Sequence, residues 1–289
     1  MNPTLKAALW MAGAIVSFSS MAVAGREAGS SLDTFEIMMY RSMVGVLIVS
    51  AMLSVTSGWA RVTRRSMGTH LMRNLAHFTG QNLWLYAVTV IPLAQVFALE
   101  FTSPLWVIVL SPLVLHEPIT RVRALAALIG FAGILIVARP SPETLNSGVA
   151  VAAGCAIFFA FTTMFTKKLT RTESVGCILF WLTLMQLILG FAAAAYDGDI
   201  TLPDTRTLPF LIVIGLAGLM AHFCITNALA IAPATVVVPF DFVRLPAIAV
   251  IGMLLYGEAL EIWVLLGAAV IFAGNYLNIV AETRKNRVA

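Results

Sequence analysis

Charged side chains are scarce in this chain, and their scarcity excludes most soluble folds. Only 11% of the 289 residues are Asp, Glu, Lys or Arg, whereas 60% are hydrophobic and the mean hydropathy is +0.93. A soluble domain of this size has about a quarter charged residues. No stretch is long and polar enough to form a separate soluble domain. We therefore interpret the chain as an all-α integral membrane protein whose main partner is the lipid bilayer.

Cysteine and the common catalytic motifs are equally sparse. The three cysteines form no C-x-x-C pair, which excludes a disulfide framework. The chain has no H-E-x-x-H zinc motif, no phosphate-binding G-x-x-x-x-G-K loop and no nucleophile–base pair. His70 and His77 stand apart from other ligand-type residues in the sequence. The sequence thus predicts no catalytic residues, no metal, no cofactor and no use of ATP; a membrane-embedded enzyme is a remote alternative.

Ten apolar runs are long enough to cross a membrane, since a spanning helix needs about 20 mainly apolar residues. The predicted spans are 5–24, 35–56, 70–89, 92–115, 121–138, 148–167, 175–196, 208–230, 233–256 and 261–281. The first run ends in Ala22-Val23-Ala24, which resembles a signal-peptide cleavage site. We favour a retained first helix, because its removal leaves an unpaired set of spans.

The excess of basic residues reports orientation rather than nucleic-acid binding. With the N-terminus in the cytoplasm, 12 of the 18 Lys and Arg residues fall on the cytoplasmic side and 3 on the outer side, and Arg41, Arg73 and Arg244 lie within spans. Short cytoplasmic loops are enriched in Lys and Arg. Both termini are therefore predicted to be cytoplasmic.

The segment from Ala87 to Gly133 occurs twice, because a shift of 141 residues lays it on Ala228 to Gly274 without a gap. Twelve positions are then identical, and the most informative are Pro92/Pro233, Glu117/Glu258 and Phe131-Ala132-Gly133/Phe272-Ala273-Gly274. The repeat predicts two five-helix halves, 1–140 and 147–289. Five helices are an odd number of crossings, so the second half is predicted to be inverted, as in many transporters.

These repeated motifs and the ten spans resemble the EamA-type branch of the drug/metabolite transporter superfamily. The resemblance implies an inverted 5+5 bundle in a bacterial-type inner membrane. It also implies a central cavity lined mainly by spans 1, 3, 4, 6, 8 and 9. Relatives of this type export amino acids and other metabolites or import vitamins and nucleoside-like compounds. The first half has His116-Glu117-Pro118 where the family usually has Gly-Glu.

Ionisable residues inside spans are the strongest candidates for a substrate site, because they are costly in the membrane. Glu100 and Asp241 occupy equivalent positions in the two halves, each about 12 Å deep. We predict that they bind a substrate amine or carry a proton. The alternative is structural ion pairing, with Arg41 as a candidate partner of Glu100 and Arg244 of Asp241. Arg244 is also a candidate for holding a substrate carboxylate.

Polar and aromatic residues on the third and eighth spans complete the predicted site. His77, Gln81 and Trp84 are the candidates on the third span, and His222 and Asn227 on the eighth. Because both halves supply polar groups on matching helices, we expect them to line the cavity. The mixture of charge, amide and aromatic groups favours a small amphipathic substrate. We predict a secondary transporter that works by alternating access, with amino-acid export favoured; a carrier for a vitamin, nucleoside-like or drug-like compound is the alternative.

Overall fold

The computed structural model of the chain describes residues 3–114, 121–139, 146–169, 171–196, 198–231, 241 and 243–288. These residues form helices joined by short connections, and they contain no β-strand. The helices are α1 (Pro3–Ala28), α2 (Thr34–Val55), α3 (Met67–Val90), α4 (Leu93–Glu100), α5 (Ser103–Val114), α6 (Arg121–Ala138), α7 (Ser147–Leu169), α8 (Val175–Ala194), α9 (Leu208–Ile231), α10 (Arg244–Tyr256) and α11 (Ile262–Val288), with a 3-10 turn at Gly58–Arg61.

Among the described residues the predicted spans fall on these helices, with the span 92–115 divided between α4 and α5. Six helical segments are long and apolar enough to cross a membrane: Leu5–Ala28, Thr34–Val55, Leu93–Leu110, Ser147–Thr166, Val175–Ala194 and Leu208–Ile225. Three shorter apolar helices are Ala124–Val137, Arg244–Tyr256 and Ile262–Leu277. Helix α3 is long but more polar, and many of its polar side chains, including Arg73, Asn74 and Gln81, are buried. All-α architecture is therefore confirmed for the described residues.

Helix packing follows the sequence repeat. Helix α1 packs chiefly on α9 and α3 on α7, while α2 packs on α8 and α6 on α11. A shift of 141 residues converts α1 into α7 and α3 into α9, so it exchanges the first two pairs. The same shift exchanges the two members of each of the other pairs. The chief helix pairs are therefore formed between the two halves of the chain.

The predicted span 92–115 is not one continuous helix. Helix α4 ends at Glu100 and α5 begins at Ser103, with Phe101 and Thr102 in the turn between them. Pro104 has no backbone N–H, so it cannot continue the ladder of hydrogen bonds from α4. Arg244 lies 141 residues after Ser103 and begins α10. The break brings the end of α4 and the start of α10 to the middle of the molecule.

Small residues bring α6 and α11 into close contact. A Cβ atom on Gly133 would lie 2.8 Å from the carbonyl oxygen of Gly267 and 2.9 Å from the backbone nitrogen of Ile271. A Cβ atom on Gly274, the repeat partner of Gly133, would lie 2.7 Å from the carbonyl oxygen of Ala126. Such close approach of two backbones is available to glycine and is common between membrane helices.

Candidate substrate cavity

A cavity of about 350 Å³ lies between the two halves. Its volume falls within the range of about 300–1,000 Å³ typical of ligand pockets. Its walls come from α1, α3, the α4–α5 break, α7, α9 and the region of Asp241 and α10. These are the six spans that the family resemblance implies. The aromatic lining residues are Phe18, Trp84, Phe101 and Phe159, and the polar ones are His77, Gln81, Glu100, Ser103, Thr162, Thr163, His222, Asp241 and Arg244.

Arg244 joins the two carboxylates of the cavity. Its Nη2 donates to Glu100 Oε1 at 3.0 Å and to Asp241 Oδ2 at 3.1 Å. Glu100 also accepts a hydrogen bond of 2.8 Å from Trp84 Nε1 at its second oxygen. The side chain of Arg244 is only 4% exposed. A buried charge needs such compensation, because its removal from water is costly.

Three aromatic rings surround the guanidinium group of Arg244. Its central carbon lies 4.7 Å from the ring centroid of Phe18 and 4.9 Å from those of Phe97 and Phe101. The negative faces of aromatic rings attract a cation at this distance. Arg244 is therefore held in one position by both halves of the chain, since Phe18, Phe97, Phe101 and Glu100 come from the first half.

Several polar atoms beside the cavity have no hydrogen-bond partner among the described residues. They include Asp241 Oδ1 and both ring nitrogens of His77. His77 contacts other rings instead, with its centroid 6.0 Å from that of His222 and 6.2 Å from that of Phe159. A buried polar group without a partner carries an energetic cost. A ligand in the cavity can remove that cost by bonding to these atoms.

Seven of the eight predicted site residues line this one cavity: His77, Gln81, Trp84, Glu100, His222, Asp241 and Arg244. Asn227 does not. Its side-chain amide donates to the carbonyl oxygen of Phe223, one turn earlier in α9, at 2.8 Å. A polar side chain in a membrane helix often bonds to its own helix in this way, and the repeat alone does not reveal which face it occupies.

The suggested ion pair between Arg41 and Glu100 is wrong, because Glu100 pairs with Arg244. Arg41 Nη1 lies 3.5 Å from Met38 Sδ and the guanidinium lies against Gly218. It lines a small second pocket with His77 and His222, which also face the central cavity. The cavity also includes Met11, Met21, Phe159, Thr162 and Thr163, which the sequence analysis missed. Small hydroxyl and apolar residues are common in spans and give no distinctive signal.

A second ionic cluster closes one end of the bundle. Arg26, near the end of α1, forms an ion pair with Glu258 and donates to the carbonyl oxygens of Val88 and Ile91. Glu258 also accepts from the backbone N–H of Leu93, at the start of α4, at 2.9 Å. Glu258 therefore caps α4 in the other half. Glu117 lies outside the described residues.

The sequence repeat and the cavity between the two halves agree with the match to a known protein family. The EamA-like transporter family matches the chain twice, over residues 5–139 and 146–280. The chain belongs to the EamA-like transporter family. Matching on both halves extends the duplication over almost the whole sequence. The EamA-like chain is accordingly a multi-pass membrane protein of the kind found in bacterial membranes.

Named relatives of this EamA-like protein carry different small metabolites. A riboflavin transporter of Brucella anthropi is 30% identical, and the match covers 96% of this chain and 100% of that protein. An S-adenosylmethionine uptake transporter of Rickettsia bellii is 25% identical, with 95% and 94% covered. A pseudopaline exporter of Pseudomonas aeruginosa is 26% identical, with 88% and 89% covered. These names support a small-metabolite transporter, and they do not support amino-acid export.

A solved crystal structure supports the fold. It superposes with a TM-score of 0.62 at 16% sequence identity, covering 96% of this chain and 98% of the other. At that identity the likeness concerns the fold alone.

Proposed function

We propose that this protein is a secondary carrier for a heteroaromatic vitamin or nucleoside-like compound, of the riboflavin or S-adenosylmethionine type. The observation that carries the proposal is the cavity itself, which combines aromatic walls with unpartnered acceptors at Asp241 and His77. A flat ring system packs on the faces of Trp84, Phe18 and Phe159. Hydroxyl or amide groups of such a substrate donate to Asp241 Oδ1.

The charge of the cavity disfavours a substrate carboxylate. Its described lining residues include two carboxylates, Glu100 and Asp241, and one guanidinium, Arg244. Arg244 already bonds to both carboxylates, so a further anion would be repelled more than attracted. This balance argues against free amino acids, whose carboxylate needs a cation of its own. It suits a compound without a carboxylate, such as riboflavin, better than S-adenosylmethionine, which carries an amino-acid carboxylate beside its cationic sulfonium.

We further propose that residues 1–140 and 147–289 are inverted halves of a ten-span bundle with both termini in the cytoplasm. In that topology, the ion pair between Arg26 and Glu258 lies at the outer end of the cavity. The pair ties α1 and the start of α4 to the end of α10. Alternating access then requires this pair to break when the cavity opens outward, as the two halves rock around the central site.

Transport in proteoliposomes tests the proposal. Purified protein is reconstituted, and the movement of riboflavin, S-adenosylmethionine and labelled amino acids is followed in both directions, with and without a pH gradient. We expect the protein to transport riboflavin or S-adenosylmethionine across the liposome membrane and not to transport amino acids. Movement of amino acids alone by folded protein would overturn the substrate class.

Two variants link transport to the cavity. Asp241→Asn removes the charge that faces the substrate, and we expect the rate to fall about tenfold or more, because a hydrogen bond to a charged group contributes about 1.5–3 kcal/mol. Asn227→Ala changes a polar residue of α9 that does not line the cavity, and its rate should equal that of the wild type. Equal rates in all three proteins would exclude Asp241 from the site.

A further inference from the structure

Three ligand-type side chains meet at the end of the bundle where the α2–α3 and α7–α8 connections lie together. His70 lies in the first turn of α3, Glu173 precedes α8, and Cys177 lies in the first turn of α8. One ligand atom from each residue lies within 4.8 Å of the other two. Their relative exposures are 0% for His70, 8% for Glu173 and 0% for Cys177. This cluster is separate from the substrate cavity and shares none of its lining residues.

Buried polar atoms in the cluster lack partners among the described residues. Both ring nitrogens of His70 and the Oε1 atom of Glu173 have no hydrogen-bond partner. Asn74, one turn after His70, donates to the His70 carbonyl oxygen at 2.8 Å and so does not bond to the His70 ring. An imidazole and a carboxylate oxygen left unpaired in the interior are costly. A cation bound between them removes that cost for both residues at once.

The segment before α3 holds the other atoms of the cluster in place. Thr63 Oγ1 donates to Glu173 Oε2 at 2.7 Å, and the backbone N–H of Thr63 donates to Cys177 Sγ at 3.4 Å. The Cys177 thiol lies 3.4 Å from Glu173 Oε2. Hydrogen bonds that orient a carboxylate and a sulfur are a regular feature around metal ligands, because they fix the ligand geometry before the ion binds.

We propose that His70, Glu173 and Cys177 bind one divalent transition-metal ion, with zinc as the best match. Zinc accepts nitrogen, sulfur and carboxylate oxygen ligands together in tetrahedral sites, whereas magnesium and calcium require oxygen ligands. Three protein ligands leave a fourth position for water. Binding deprotonates the thiol of Cys177 and releases the proton to solvent. The ion then ties the start of α3 in one half to the start of α8 in the other.

Sequence spacing does not reveal the three ligands as a group, because Glu173 and Cys177 lie more than one hundred residues after His70. His70 is isolated from other ligand-type residues in the sequence but not in the folded chain. Packing of α3 against α7 and α8 brings the residues together.

Titration of purified wild-type protein, stripped of metal with a chelator, tests the site. We expect calorimetry to show one zinc ion per chain and the melting temperature to rise with zinc, since a ligand that binds only the folded state stabilises it. Cobalt serves as a second probe, because cobalt bound to a thiolate has a charge-transfer absorption band. A folded wild type that binds neither ion, or whose cobalt spectrum lacks the thiolate band, overturns the proposal.

Cysteine variants give a matched control. Cys155 and Cys224 are buried elsewhere in the bundle, so Cys224→Ser should keep the stoichiometric zinc binding and the cobalt band. Cys177→Ser should lose both, and Glu173→Gln should weaken the binding while retaining the band. Stoichiometric binding that persists unchanged in folded Cys177→Ser and Glu173→Gln would assign the ion to other residues and overturn the proposal.

Discussion

Arg244 Nη2 bonds to Glu100 Oε1 at 3.0 Å across 144 residues of sequence. The bond joins the end of α4 in the first half to the start of α10 in the second half. It forms because the break between α4 and α5, next to Pro104, places Glu100 at the cavity between the halves, which Arg244 at the start of α10 also lines. The carboxylate at the centre of this transporter is therefore both a part of the cavity wall and a link between the repeats.

Glu100→Gln should destabilise the protein more than Asp241→Asn. Glu100 accepts from Arg244 and Trp84 with separate oxygens, so a glutamine amide turns its NH2 group toward one of these donors. Asp241 uses only Oδ2, and asparagine can keep that acceptor. We expect a loss of about 1–3 kcal/mol for Glu100→Gln and less for Asp241→Asn. Thermal unfolding of the purified variants measures the order, and the reverse order would contradict this account.

A double-mutant cycle on Arg26 and Glu258 should reveal strong coupling. Their side chains are 15% and 13% exposed, and Glu258 also caps α4. Arg26→Met, Glu258→Gln and the double variant should give a coupling energy of about 0.5–3 kcal/mol.

The pair formed by Arg139 and Glu261 is the matched control, because its side chains are 42% and 46% exposed. Solvent screens such a pair, and its coupling should lie near 0–1 kcal/mol, at about the level of other surface ion pairs. Equal coupling energies in the two cycles would mean that the Arg26–Glu258 pair does not hold the two halves together.

Gly133→Ala should disturb the contact between α6 and α11. The added Cβ atom meets a backbone oxygen and a backbone nitrogen within 3.0 Å, and neither can move without shifting α11. Overpacking of this kind costs about 1–3 kcal/mol. Gly154→Ala is the control, because its Cβ atom meets only Leu83 Cδ1 at 3.8 Å. Unfolding curves measured in detergent should show a lower stability for Gly133→Ala than for Gly154→Ala. Equal stability of the two variants would mean that α6 and α11 accommodate the added methyl group without cost.

Asp204 should make stability depend on pH below neutrality. Hydrogen bonds from the side chain of Thr207 and from its backbone N–H, with the nitrogen 2.7 Å from Oδ1, lower the pKa of the Asp204 carboxyl below its ordinary value. Its contribution is therefore complete above the unfolded pKa of about 3.9 and is lost as the pH falls through the lower folded pKa. The melting temperature of the wild type should fall more between pH 6 and pH 3 than that of Asp204→Asn. Parallel curves would exclude this contribution.

The sequence alone determined the membrane class and the duplication. Apolar runs of helical length predict helices whatever their neighbours, and the identical Pro, Glu and Phe-Ala-Gly positions gave the 141-residue shift. The same shift relates Glu100 to Asp241, and both line the cavity. His77, Gln81, Trp84 and His222 were also predicted as lining residues, since polar or large aromatic groups in a membrane helix tend to face the interior.

Tertiary structure decided which groups are partners. Glu100 pairs with Arg244 and not with Arg41. Glu258 caps α4 of the other half, and Asn227 bonds to its own helix. Periodicity along one helix fixes the depth of a side chain, but its neighbours depend on how each helix rotates against the others. The same reason explains why His70 and Cys177, one hundred and seven residues apart in sequence, lie together in the folded chain.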